Sequence, residues 1–115
     1  MTEPISTVAW TIANGGSLSG AIDCKGPQPV GVAMPAAWTA ATITLQMSPD
    51  GGTTWYEVYD TDGVLYNPAA DAGRYIPLSP PVIAGATLIK VRSGTAAAPV
   101  AQGAARSGSV VRRAV

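Results

Sequence analysis

The sequence predicts an all-β, single-domain β-sandwich, jelly-roll-like, with about eight strands. Three observations predict it. Apolar and polar residues alternate in short segments, 13 glycines and 10 prolines fall between those segments, and no stretch keeps a helical period for long. At 115 residues the chain has room for one domain around one core. Hydrophobic residues make up 47% of it, yet there is no Phe, with only three Trp and four Tyr. So lean a core favours a thin sandwich, and one that gains stability from a partner.

The strands follow in chain order. Thr7–Ile12 alternates with Val8, Trp10 and Ile12 inward. Ser17–Ile22 and Val30–Met34 come next, and Pro35–Trp38 could add one helical turn. Ala41–Ser48 is the clearest strand: Ala41, Ile43, Leu45 and Met47 share one face and every residue on the other is polar. Thr54–Tyr59, Arg74–Leu78 and Leu88–Ser93 continue the pattern, the last with Ile89 and Val91 inward and Lys90 and Arg92 outward. Ser109–Val115 is the final strand. The alanine-rich stretch Ala96–Ala105 is broken by Pro99 and Gly103 and reads as an arm or loop. The termini, residues 1–12 and 103–115, are candidate extended contact arms.

Composition narrows the function. Charged residues are 12%, about half the usual share, which suits a protein that sits in an assembly. All seven acids lie within residues 1–71 beside the single base Lys25, whereas residues 72–115 hold six bases and no acid. Interleaved strands would compensate these charges internally; a two-signed molecule docking on a lattice is the other reading. There is no His, which excludes Ser-His and Cys-His nucleophile activation. Glu57 with Asp60 is the one carboxylate pair of interest, and no enzymatic activity is expected. Cys24 is alone, so it forms no intrachain disulfide or zinc site and reads as an inert thiol. No apolar run reaches the roughly eighteen residues of a membrane span, and the N-terminus lacks the features of a signal peptide. Synthesis in the cytoplasm and no membrane partner are the expectations.

Two turns stand out. Ser48-Pro49-Asp50-Gly51-Gly52-Thr53-Thr54-Trp55 fits Ser-x-Asp-x-Gly-x-Thr-Trp, which resembles the Asp-box of sialidases and related β-proteins. Its physics is that of a hairpin: the Asp50 carboxylate accepts backbone N–H groups, Gly52 supplies a positive φ, Ser48 and Thr54 frame the turn and Trp55 anchors it. Asp60-Thr61-Asp62-Gly63 with Asp71 partly mimics a calcium loop. Val64 and Leu65 stand at its fifth and sixth positions and its last ligand is Asp, so a polar turn is the reading and no metal or other cofactor is expected. The aromatics Trp38, Trp55, Tyr56, Tyr59, Tyr66 and Tyr75 are either core filler or a carbohydrate-stacking set. Arg106, Arg112 and Arg113 make a basic C-terminal end that could serve as an interface. Without a stacking platform beside it, nucleic acid is not the expected partner.

The runs Pro29–Pro35, Trp38–Gln46 and Ser48–Gly63, continued by Arg74–Leu78 and Leu88–Thr95, resemble small virion proteins of tailed bacteriophages. The likeness spans residues 29–102 and is one of strands and turns rather than of chemistry. It implies a virion structural protein made in the host cytoplasm, most simply a capsid decoration or cement protein. Its partners would be the major capsid protein or other virion proteins, with a homo-oligomer or many copies on a lattice. A tail or head-fibre module that binds host carbohydrate is the alternative. The family has no catalytic motif, so no functional residue carries over.

Overall fold

A computed structural model of the chain describes residues 5–79 and 86–114. It contains eight strands: β1 (Ile5–Ile12), β2 (Ile22–Asp23), β3 (Gln28–Ala33), β4 (Ile43–Ser48), β5 (Tyr56–Glu57), β6 (Tyr75–Pro77), β7 (Leu88–Ser93) and β8 (Arg106–Arg113). No helix occurs among the described residues, and the expected turn at 35–38 is a bend. The strands pair in a nested way, β1 with β8, β2 with β7, β3 with β6 and β4 with β5, all antiparallel. Rolled up, this long hairpin places alternate pairs in two sheets. The β8–β3 and β7–β4 pairings close them into the orders β1-β8-β3-β6 (sheet A) and β2-β7-β4-β5 (sheet B). That is the jelly-roll order, and the sandwich is as expected.

The period of two explains which side chains meet between the sheets. From sheet A, Trp10, Ile12, Val32, Ile76 and Val110 point inward; from sheet B, Ile22, Ile43, Leu45, Ile89 and Val91 do. Trp10 and Trp38 meet edge to face with centroids 6.2 Å apart. Opposite Trp10, β8 carries Gly108, where a Cβ would lie 2.6 Å from the indole ring. Only glycine lets that ring pack against the strand.

Two departures from simple alternation have local causes. In β3 the pairing with β8 shifts between Pro29 and Gly31, leaving Val30 as the extra residue. Pro29 has no N–H to donate, and a bulge is where a sheet tolerates it. In β4 the polar residues Thr44 and Ser48 are fully buried, although they face away from the core. The Thr44 hydroxyl donates to the Gly94 carbonyl at 2.8 Å, and Ser48 is enclosed by its own turn.

The terminal segments fold as strands, and for the C-terminal one the internal closing strand, rather than an extended arm, is what forms. Residues 5–12 and 106–113 are β1 and β8, and β8 is an inner strand bonded on both sides. Alternating Val110, Val111 and Arg112 find their hydrogen bonds within the domain, so no extended arm is left along them. Residues 1–4 and 115, also part of those proposed arms, lie outside the described residues, and the final strand begins three residues earlier than expected. The alanine-rich segment is a loop folded back on the barrel end. Gln102 pins it there, with Oε1 accepting from Thr39 N at 2.8 Å and Nε2 donating to Thr39 O at 3.1 Å and Ser93 Oγ at 2.7 Å. Its backbone also exchanges bonds with Gly15 and Gly16.

An inner strand cannot be lost without separating its neighbours. Deletion of residues 107–115 is expected to abolish the cooperative thermal transition and the near-ultraviolet circular dichroism. A truncated chain that melts like the full one would show β8 to be dispensable.

Candidate functional site

The 48–55 turn forms as the sequence indicates. Ser48 Oγ accepts from Gly52 N at 2.8 Å and donates to Asp50 Oδ1 at 2.9 Å. Asp50 Oδ1 also accepts from Thr54 N at 2.8 Å, and Gly51 and Gly52 both take a positive φ. The Trp55 indole N–H closes the turn on the Gly52 carbonyl at 3.0 Å. Ser48, Asp50, Gly52, Thr54 and Trp55 are therefore brought together, with their polar groups used on one another. The amide bonds from Thr54, then its hydroxyl, hold the Asp50 carboxyl below the usual carboxylate range. Trp55 is half-buried rather than a core anchor. It lies on the outer face of sheet B, where the Lys90 ammonium sits 4.3 Å from its ring centroid.

Beside that ring runs a network of three strands. Gln46 of β4 lies opposite Glu57 of β5 and Lys90 of β7. Gln46 Nε2 donates to Glu57 Oε2 at 2.8 Å, and Arg92 forms an ion pair with the other Glu57 oxygen. Arg92 is thus covered on a face where exposure was expected, because its partner lies 35 residues away across the sheet. Glu57 and Asp60 each have their own partners, Glu57 those just described. The Asp60 carboxylate accepts from Asp62 N at 2.9 Å and Val64 N at 3.0 Å, and Asp71 bonds to Ala72 N and lies 3.7 Å from Arg74. The polar-turn reading accounts for these acids.

The three arginines do not form one basic surface. Arg106 reaches Gln102 and Thr39 at the loop-rich end, whereas Arg112 donates to the Asp23 carbonyl at 2.9 Å at the opposite end. Six residues of strand, about 20 Å, separate them. Arg113 alone is exposed, in register with Ile5 and Gln28. Near Arg112, Cys24 is buried, and burial pushes its thiol up to about 11, an effect the arginine charge only partly offsets.

The aromatics divide as well. Trp38 is core, and the Tyr66 hydroxyl accepts from Ser79 N at 3.0 Å. Tyr56 and Tyr59, 58% and 56% exposed, stand at the β5 edge of sheet B. Tyr75 lies on sheet A and crosses Gly31 so closely that any Cβ there would clash with its ring.

What the sequence did not reveal is the outer face of sheet A. Alternation and register put Thr7, Ala9 and Thr11 of β1 beside Ser107, Ser109 and Val111 of β8, followed by Ala33 of β3, whereas Gly31 is covered by the Tyr75 ring. Thr11 and Ser107 share a hydrogen bond of 2.9 Å. None of these residues is charged. The result is an uncharged patch three strands wide, bounded by Tyr75 at one side and Arg113 at one end. Short side chains alternating with buried ones were the signal, but only register places them together.

Two outcomes follow for the turn. Because folding depresses the Asp50 pKa, its contribution is present above about pH 4 and is lost as pH falls through the folded value. Asp50→Asn should therefore melt below the wild type at neutral pH, and the gap should close on acidification; a gap that stays constant would contradict the carboxylate's role. Trp55→Ala should destabilise by about 2 kcal/mol, roughly half the 3–5 kcal/mol of a fully buried aromatic. Chemical denaturation measures it.

Comparison with protein families, curated proteins and solved structures finds no match to this chain.

Proposed function

We propose that this domain is a phage virion structural protein, a capsid decoration or cement protein that binds the coat lattice. The observation that carries the reading is the uncharged, short-chained stretch of sheet A's outer face between Tyr75 and Arg113, backed by a two-sheet core. Such a face offers contact area built largely of main chain and short side chains. Short Thr, Ser and Ala side chains lose little rotamer freedom on docking, which favours binding to another protein surface. The 12% charged composition and the resemblance of residues 29–102 to phage virion proteins point the same way. Stabilisation of the shell then follows by mass action, since a ligand that binds only the assembled lattice shifts equilibrium toward it.

A second reading rests on a different face. Tyr59 and the half-buried Trp55 beside Gln46 and Glu57 offer rings and hydrogen-bonding groups to a sugar, as a tail or head-fibre module binding host carbohydrate would need.

The test uses intact particles. Cryo-electron microscopy of virions carrying the protein should find many copies over the head. Ser109→Glu with Ala33→Glu, at the centre of the patch, should weaken retention on capsids at least about tenfold, on the order of 1.4 kcal/mol. Tyr59→Ala should leave retention unchanged. A few copies at the tail, with glycan binding lost in Tyr59→Ala, would overturn the decoration reading in favour of the second.

A further inference from the structure

The sheet edges of this sandwich are not alike. Along the β2 side, pairing with β7 shifts by one residue between Ser19 and Ile22, and the strand ends on Asp23. At the β5 side the chain folds back, with Tyr66 N–H donating to Val58 O at 2.9 Å. β6 has three residues and ends in Pro77. A bulge, a charge, a proline, short length and a covering segment are the means by which β-proteins blunt an edge. β1 has none of them. Its eight residues, ISTVAWTI, contain no charge, proline or glycine and run in unbroken register with β8. Among the described residues no main-chain group bonds to its other side. Alternate residues of such a strand direct their N–H and C=O groups outward, ready to pair.

We propose that β1 is a self-association edge: the β1 strand of a second copy pairs with it antiparallel about a two-fold axis normal to sheet A. The two four-stranded sheets then become one. Directly opposed residues in an antiparallel pair point to the same face, so the register must match core side with core side. An axis through Val8 satisfies this, setting Thr7 against Ala9, Ser6 against Trp10 and Ile5 against Thr11. No like charges meet, and Ile5, 47% exposed in the single chain, gains a neighbour. A second copy is the fitting occupant for two reasons. An isologous contact asks only that a strand suit its own antiparallel image, which an uncharged strand of alternating hydroxyl and apolar residues does. The formal net charge of the chain is zero, so copies approach without mutual repulsion. The inference concerns the free protein and does not depend on what the domain coats.

Sedimentation equilibrium of the purified chain, from micromolar to millimolar concentration, tests it. Ala9→Lys and Thr7→Lys put a charge beside the axis at exposed positions, and Ala36→Lys, in the exposed loop after β3, is the control. A monomer–dimer equilibrium is expected for the wild type and the control, with dissociation constants raised at least about tenfold in the two β1 variants. Hydrogen exchange on the wild type supplies a readout that needs no variant: protection of β1 amides should rise with protein concentration. A wild type that stays monomeric, an assembly other than a dimer, β1 exchange independent of concentration, or a dimer indifferent to both lysines overturns the proposal. A wild type that dimerises as expected yet does not bind capsids would instead count against the decoration reading alone.

Discussion

Insertion of β8 between β1 and β3 is the constraint on which sheet A depends. It sets Ile5 opposite Arg113, joining the first and last described strands, and it brings Gly108 under Trp10 and Val110 into the core. None of these contacts is local. Each must be made after most of the chain has been gathered, so loop-closure entropy is met before the pairing returns anything. Folding of such a topology is slow compared with helical domains of this size. Gln102 lies just ahead of this strand, and its amide is satisfied on both sides by Thr39, Ser93 and Arg106. The loop before β8 is thereby fixed to the loop before β4, and the approach of the last strand is fixed with it.

A small core makes the outer faces matter. Without Phe, apolar burial rests on branched aliphatic residues and two tryptophans in contact. Sheet B supplements this with polar cover: Thr44, Gln46, Glu57 and Arg92 tie β4, β5 and β7 together on the solvent side, and Lys90 lies on Trp55. An ion pair this well covered contributes less than its Coulomb energy suggests, because both charges lose water, but neither is left buried without a partner. Among the described residues the outer side of sheet A has no such network; between Tyr75 and Arg113 it is neutral and short-chained, so the two outer faces differ in how far their groups are used on one another.

The lopsided charge along the chain finds part of its explanation here. Arg92 from the basic half meets Glu57 from the acidic half because nested pairing interleaves the two. Arg112 meets a carbonyl of residue 23 for the same reason, which removes it from any surface patch. Sequence neighbours such as Arg112 and Arg113 point to opposite sides of a strand, so a basic run in β-structure is divided between core side and solvent side.

The sequence by itself determined the sandwich, the number of its strands, the inward residues of β1, β4 and β7, and the 48–55 turn, although the strand expected at Ser17–Ile22 meets β2 only at Ile22. These follow from interactions a few residues apart: a period of two, glycines with positive φ and a carboxylate bonding amides of its own turn. The tertiary structure alone decided that β8 is an inner strand rather than an arm and that Arg92 is covered by Glu57. It also decided that Trp55 lies on the outer face under Lys90, and that Thr7, Ala9, Ser107, Ser109 and Ala33 form one surface. Alternation says which side of a strand a residue takes, but not which strand lies beside it. That neighbour is chosen by the register of strands up to a hundred residues apart, and register is a property of the whole sandwich.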